Sequence, residues 1–138
     1  MKLNLHKHSF ILFLSLLYLS CSSLNSFDQT ALNQAKSLKT ISLYLMGNAV
    51  NPYSDFKPQI EDLKEQLNNA YKYETSRNNN DESIKQWRVL INPDGNFLGG
   101  FLSKWKSQNK LSETFINQAK DLVRSGFNEI IDLERSKR

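Results

Sequence analysis

Few side chains of this 138-residue chain could perform proton transfer or nucleophilic attack at neutral pH. Both histidines, His6 and His8, lie in the first eight residues, and the single cysteine is Cys21. Beyond residue 21 the sequence therefore offers no Ser–His or Cys–His pair and no histidine ligand for zinc. Chemistry there would depend on carboxylates, Lys, Tyr or Ser, and we predict neither a cofactor nor a bound metal.

One pair of acidic residues, Glu129 and Asp132, has the spacing of two neighbours on a helix. Side chains three positions apart lie one turn from each other, so the pair could act as a general acid and a general base. Acids and bases of both signs surround the pair, however, as is typical of the solvent-exposed side of a helix. We therefore interpret all of these residues as surface residues: Asp121, Arg124, Glu129, Asp132, Glu134 and Arg135.

The stretch Asn92-Pro93-Asp94-Gly95-Asn96 alternates oxygen-bearing side chains as a calcium-binding loop does. Glycine stands in fourth place rather than sixth, and the twelfth residue is Ser103 where that loop requires a glutamate. The stretch instead predicts a turn between two helices, because Pro93 sets its own φ and Gly95 permits a positive φ.

The segment from Phe97 to Lys110 combines adjacent glycines, aromatic residues and a local basic cluster. Each glycine costs about 1 kcal/mol in a helix relative to alanine, so the pair indicates a close backbone approach, a kink or a break in the helix. One interpretation is a contact region for an anionic lipid surface, a glycan or an acidic protein. The alternative, which we favour, is a buried aromatic face flanked by solvated lysines. The candidate contact residues are Gly99, Gly100, Lys104, Trp105, Lys106 and Lys110.

The first 20 residues have the order of an export signal. Lys2 and Lys7 precede an apolar run, residues 10–19, which only Ser15 interrupts, and small polar residues follow it. The run is shorter than the roughly 20 apolar residues that a membrane-spanning helix needs. We therefore predict a cleaved signal peptide over residues 1–20.

The end of that signal, Leu17-Tyr18-Leu19-Ser20-Cys21, resembles the signal of bacterial lipoproteins, whose processing enzyme cleaves before a cysteine that carries lipid. Ser20 suits the small position before the cysteine. The family usually has Leu three places and Ala or Ser two places before it, where this chain has Tyr18 and Leu19. The resemblance implies lipid on Cys21 and a membrane anchor in the cell envelope, with the outer membrane favoured because Ser22 follows. Cleavage after Ser22, giving a secreted or periplasmic protein, is the alternative.

The remaining chain shows helical periodicity and no convincing alternating strand pattern. We predict an all-α fold, a small bundle of about four to five helices, with a lipidated tether over residues 21–27 and a single domain over residues 28–138. Asp28, Ser54 and Ser112 are the predicted N-caps of three helices. The cleanest apolar stripe comprises Phe56, Ile60, Leu63, Leu67 and Ala70. The last helix should bury Ile116, Ala119, Leu122, Val123, Phe127, Ile130 and Ile131.

The charge of the domain indicates no nucleic-acid partner. Of the 18 Lys and Arg residues, Lys2 and Lys7 belong to the signal, so 16 oppose 14 acids and the formal charge is +2. We expect a membrane-anchored, non-enzymatic helical module that binds a protein or another envelope component. The alternatives are a small carboxylate-based enzyme or ligand-binding protein, or an envelope immunity factor that inhibits a competitor's enzyme.

Overall fold

The computed structural model describes residues 26–138, so the predicted signal peptide and Cys21 lie outside the described residues. This part of the chain contains helices and no strand, which confirms the all-α prediction. The five helices are α1 (Gln29–Gly47), α2 (Tyr53–Ser76), α3 (Asp81–Ile91), α4 (Leu98–Gln108) and α5 (Glu113–Ser136).

The helices form a bundle in which α3 and α4 together occupy the position of one long helix. α1 packs on α2 and α5, α3 packs on the same two helices, and α4 contacts α2, α3 and α5. α3 and α4 have 11 residues each, or about 16 Å, whereas α2 and α5 have 24 residues each, or about 36 Å. The two short helices therefore line the bundle between α2 and α5, one after the other.

Local sequence signals explain where most helices begin. Asp28 accepts a hydrogen bond from the Ala31 amide at 2.9 Å, and Ser112 accepts one from the Phe115 amide at 3.3 Å, which confirms both as N-caps. The prediction for Ser54 is wrong, because α2 already begins at Tyr53. The Tyr53 amide donates to the backbone carbonyl of Asn109, so a distant loop supplies the acceptor that a cap would provide.

The core follows the predicted stripes except at Phe56, Ala119 and Leu122, which are not fully buried. In the stripe of α2, Ile60, Leu63, Leu67 and Ala70 are buried, as predicted, whereas Phe56 is half-buried. Leu122 of α5 is 40% exposed, because α4 is too short to cover that side of α5. Tyr44 of α1 is 69% exposed. α1 packs only on α2 and α5, so its remaining side faces solvent.

The turn between α3 and α4 lies where it was predicted but closes differently. The Gly95 amide donates to the Asn92 carbonyl at 3.0 Å, and the Asp94 amide donates to Asn92 Oδ1 at 3.1 Å. Gly95 does not adopt a positive φ. Hydrogen bonds to the backbone and side chain of Asn92 therefore close the turn, without the left-handed conformation that glycine would have allowed.

Candidate functional site

The inward side of α4 is aromatic and belongs to the core. Trp105 is fully buried, and its indole Nε1 donates to the backbone carbonyl of Asn51 at 3.0 Å. Its ring meets Tyr53 edge-on with the centroids 5.7 Å apart, and Phe101 packs on it at 6.4 Å. In this fold a partner cannot reach the ring of Trp105, which is the arrangement that the favoured alternative predicts.

Gly99 and Gly100 lie in the first turn of α4 and do not interrupt it, so the structure has the first of the three alternatives, a close backbone approach. A Cβ atom on Gly99 would overlap the backbone carbonyl of Ile91 and that of Asn92. A Cβ atom on Gly100 would overlap the carbonyl oxygen of Gly95. The glycines therefore allow α4 to begin directly against the end of α3, which accounts for them without any partner.

The exposed lysines of the candidate contact region are Lys104 and Lys106, on different sides of α4, and Lys110, which follows the end of the helix. No acidic residue occurs from Gly95 to Ser112. The Lys104 Nζ atom lies 4.5 Å from the centroid of the Phe115 ring, within the range of a cation–π contact. This surface is therefore locally basic and is held in place by the aromatic packing beneath it.

Two grooves flank α4, because this short helix does not fill the space between its long neighbours. The groove between α4 and α5 has a volume of about 330 Å³, and Lys104, Phe115 and Leu122 are among its lining residues. The groove on the side of α2 has a volume of about 260 Å³, with Leu67 and Leu102 in its wall. Both grooves combine aliphatic or aromatic walls with a lysine, so they could receive a partially apolar, acidic partner.

A cluster of charged and polar side chains occupies the opposite end of the bundle. It joins the start of α1, the end of α2, the start of α3 and the end of α5. We call it the charged cluster, and it comprises Asp28, Tyr73, Glu74, Arg77, Asn80, Glu134 and Lys137.

Glu134 is the centre of the charged cluster and is only 3% exposed, so its assignment to the solvent-exposed side of the last helix is wrong. Its carboxylate accepts two hydrogen bonds from Arg77, at 2.9 and 3.0 Å, and one from Lys137 at 2.6 Å. It also accepts a hydrogen bond from the backbone amide of Asp28 at 2.7 Å. Buried carboxylates are tolerated when they are paired in this way.

The electrostatics of the charged cluster favour ionised carboxylates. Burial alone raises the pKa of Glu134, but the hydrogen bonds from Arg77, Lys137 and the Asp28 amide outweigh it and hold this pKa below its ordinary value. The hydrogen bond that Tyr73 donates, 2.6 Å long, lowers the pKa of Asp28 and raises that of Tyr73. Glu134 and Asp28 are therefore hydrogen-bond acceptors at neutral pH and not proton donors.

The two buried carboxylates of the charged cluster, Glu74 and Glu134, do not line the cavity beside it. This cavity has a volume of about 280 Å³ and is lined by Asn80, Ser83 and Lys137. A general acid or base must reach its substrate within hydrogen-bond distance. The two carboxylates instead pair with Arg77 and Lys137, whose two positive charges balance theirs. The cluster thus joins four helix ends and stabilises the fold.

The other acidic candidates lie at the surface, as predicted. Glu129 and Asp132 are exposed, and Asp132 forms an ion pair with Arg135 at 3.1 Å. Asp121 pairs with Arg124 one turn further along the same helix. Among residues 26–138 no group of three or more His, Cys, Asp or Glu side chains is arranged to hold a metal ion. None of the described helices is both long and apolar enough to cross a membrane.

We find no match to this chain among protein-family models, curated proteins or solved structures.

Proposed function

We propose that the protein is an envelope lipoprotein, anchored to a membrane through Cys21, whose helical domain binds a protein or another envelope component through the exposed side of α4. The observation that carries the binding proposal is the division of α4 into two sides. Trp105 and Phe101 fix the helix in the core, and Lys104, Lys106 and Lys110 face solvent with no acid among them. Such a basic surface attracts acidic partners and speeds their association.

The anchoring part of the proposal rests on the resemblance at Cys21 and on the distance to the folded domain. Ser26 follows Cys21 by five residues, which span at most about 17 Å when fully extended. The Ser26 carbonyl accepts a hydrogen bond from Arg77 at 2.9 Å, and the Asp28 amide is bound to Glu134. A lipid on Cys21 would therefore hold the whole domain close to the membrane surface.

Mass spectrometry of the N-terminus of the native protein tests the anchor. We expect acylated Cys21 as the first residue, and we expect Cys21→Ser to release the protein from the membrane fraction. Two or more acyl chains give stable anchoring, whereas one chain gives marginal binding. An unmodified N-terminus at Ser23 would instead support the secreted or periplasmic alternative.

Charge reversal on α4 tests the binding surface. We expect Lys106→Glu combined with Lys110→Glu to leave the melting temperature nearly unchanged, since both side chains are exposed. The same variant should lose the proteins that cross-link to the wild type in intact membranes. The matched control, Lys36→Glu with Lys72→Glu, changes the net charge equally at exposed positions of α1 and α2. Equal capture of partners by both variants would rule out α4 as the site.

An anionic lipid surface as the partner is tested separately. Vesicles of phosphatidylglycerol and vesicles of phosphatidylcholine should be compared for their binding of the Cys21→Ser protein, which lacks the lipidated cysteine. Retention on the anionic vesicles alone, lost in the Lys106→Glu and Lys110→Glu variant, would identify a membrane surface as the ligand. No retention on either vesicle, together with cross-linking to one protein, would identify a protein partner.

A further inference from the structure

One side of α5 is only partly covered along four turns. The residues that share this side recur at alternating steps of four and three, and we call them the α5 seam: Phe115, Ala119, Leu122, Gly126 and Glu129. From residue 115 to residue 129 the seam is about 21 Å long at 1.5 Å per residue. The groove beside α4 opens at its first half, and a cavity of about 200 Å³ beside α3 opens at its second half.

Exposed apolar side chains lie on and beside the α5 seam. Leu122 is 40% exposed, and Val89 of α3, which lines the cavity beside Gly126, is 48% exposed. They are two of the four large apolar side chains that are notably exposed in residues 26–138. Apolar side chains gathered on one face of a soluble domain indicate a surface that another molecule covers.

The charges at the two ends of the seam are opposite. Lys104 lies at one end, where its Nζ atom covers the Phe115 ring. Glu82 and Glu129 line the cavity at the other end, where Lys85 opposes only one of these two acids. Leu122 is seven residues from both Phe115 and Glu129, or two turns and about 10.5 Å in each direction. The seam therefore has an apolar centre with a basic end and a net acidic end at equal distances from it.

We propose that the α5 seam is the interface of a symmetric dimer, in which a second copy of this chain packs on it in the antiparallel direction. A two-fold axis at Leu122 places Lys104 of each copy opposite Glu129 of the other. The same operation brings the apolar surface around Val89 against that around Phe115. A pattern that is complementary to itself under a two-fold rotation is what an isologous interface requires.

The size of the seam sets the strength of this dimer. Stable complexes bury about 800 Å² on each partner, and a seam about 21 Å long and one to two helices wide offers less than that. We therefore expect a dissociation constant between about 1 μM and about 1 mM in solution. On a membrane the anchors would raise the local concentration and favour the pair. Lys106 lies on the other side of α4, where its charge acts on Glu61 of α2, so the dimer leaves it accessible.

An antiparallel pair is compatible with two anchors in one bilayer. The two Ser26 ends lie at opposite ends of such a dimer, so both tethers reach the membrane when the dimer lies along it. Five residues span up to about 17 Å, which exceeds the radius of about 10 Å of a bundle two helices across. This compatibility rests on the proposed lipid at Cys21, whereas the interface itself does not depend on it.

A single introduced thiol tests the geometry in the full-length protein in its own membrane. Leu122→Cys places one thiol on each side of the proposed axis, and mild oxidation with diamide should join two copies through a disulfide. Tyr44→Cys is the matched control, because Tyr44 is more exposed than Leu122 and lies on α1 outside the seam. We expect a disulfide-linked homodimer for Leu122→Cys and little for Tyr44→Cys. Equal dimer from both positions, or an adduct with a different protein, would overturn the proposal.

A charge swap tests the pairing of Lys104 with Glu129. Sedimentation equilibrium of the mature protein in density-matched detergent gives the dissociation constant of the dimer. Each substitution acts twice in a two-fold interface, so Lys104→Glu alone or Glu129→Lys alone should raise this constant at least about tenfold. The double variant should bring it back to within about threefold of the wild type. A wild-type protein that stays monomeric at about 1 mM, or a double variant weaker than both single variants, refutes the interface.

Loss of the dimer and loss of partner binding are distinguishable outcomes. Glu129→Lys alone tests the dimer without changing any lysine of the basic surface, and the Lys106→Glu and Lys110→Glu variant tests partner binding without changing the seam. A monomeric protein that still captures its partner would refute the proposed dimer and leave the proposed function intact. A dimer that captures no partner would refute the proposed function and leave the proposed dimer intact.

Discussion

Replacement of Glu134 by glutamine is the sharpest test of how the bundle is held together at the end where the tether leaves. Glutamine has nearly the same shape, so the change removes the charge without opening a cavity. It also replaces one acceptor oxygen by an NH2 donor, which then faces the cationic groups of Arg77 and Lys137. The substitution therefore isolates the electrostatic contribution of one buried carboxylate.

The magnitude follows from the bonds that the carboxylate makes. Glu134 accepts four hydrogen bonds, three from cationic side chains and one from the Asp28 amide. Removing one partner of a buried ion pair costs about 3–5 kcal/mol, because the other charges stay buried without compensation. Glu74 still pairs with Arg77 at 3.0 Å and reduces this loss. We therefore expect the free energy of unfolding to fall by about 3 kcal/mol, the lower end of that range.

Urea unfolding followed by circular dichroism measures this loss, with Asp132→Asn as the control. Asp132 lies on the same helix, but its ion pair with Arg135 is exposed, so the control should cost about 1 kcal/mol or less. The double variant Arg77→Met with Glu134→Leu should lose less stability than the sum of the two single variants, because the Arg77–Glu134 interaction is then lost only once. A loss below about 1 kcal/mol for Glu134→Gln would show that the charged cluster does not hold the helix ends together.

Three further predictions follow from the core, the α3–α4 junction and the charged cluster. Leu63→Ala should lower the free energy of unfolding by about 2–5 kcal/mol in urea titrations, since Leu63 is fully buried in the α2 stripe. Gly100→Ala should destabilise the fold by about 1–3 kcal/mol through overpacking. Gly47→Ala is the control and should be neutral or stabilising, because its Cβ meets only the Lys120 side chain. Thermal melts of both variants measure the difference. Folding lowers the pKa of Asp28 below 3.8 and that of Glu134 below 4.5, so the unfolded chain binds protons first as the pH falls. The stability that these two carboxylates contribute is complete above those values and is lost as the pH falls through the folded-state pKa values. Urea midpoints between about pH 7 and about pH 3 should show this decline, and Glu134→Gln should flatten it.

The helices were predictable because their signals are local. Apolar residues at steps of three and four, and Asp28 and Ser112 directly before such runs, are visible without knowledge of the neighbours. The buried face of α3 is less predictable, because the steps of three and four between Ile84, Trp87 and Ile91 indicate a different face from the one the structure buries. The structure buries Trp87 and Leu90, whereas Ile84 and Ile91 are half-buried. In a helix of 11 residues the choice of face depends on what packs against it.

Charge is ordinarily a mark of exposure, and the charged cluster departs from that expectation. Glu134 continues the buried stripe of α5, seven residues after Phe127 and four after Ile130. An ionisable residue on such a stripe indicates a buried, paired group. Its main partner, Arg77, is 57 positions away in the chain, and no local pattern identifies it. The sequence could therefore have placed Glu134 in the interior, but it could not have named its partner.

Of the candidate contact region, the sequence predicted the solvent-exposed lysines and left the role of the glycines open. The spacing of Phe101 and Trp105 correctly indicated a buried face. Gly99 and Gly100 are explained by carbonyl groups of residues 91, 92 and 95, with which they make close contact. This contact depends on the sharp turn at Asn92 and on the direction in which the chain leaves it. Such a direction is set by tertiary packing and is not encoded in the glycine pair alone.

The interruption between α3 and α4 links the fold to both proposed surfaces. A continuous helix in their place would cover α5 along its length, but the turn at residues 92–97 leaves Leu122 and Val89 roughly half exposed. Full burial of such a side chain stabilises a fold by about 1.5–3 kcal/mol. Because each of the two is roughly half exposed, the fold lacks about 1–3 kcal/mol of this burial free energy. That is a sizeable part of the 5–15 kcal/mol that stabilises a typical domain. The same turn sets α4 against α3 with its lysines outward. The basic surface and the open seam thus have one structural cause, and a second molecule on the seam would recover the burial that the turn gives up.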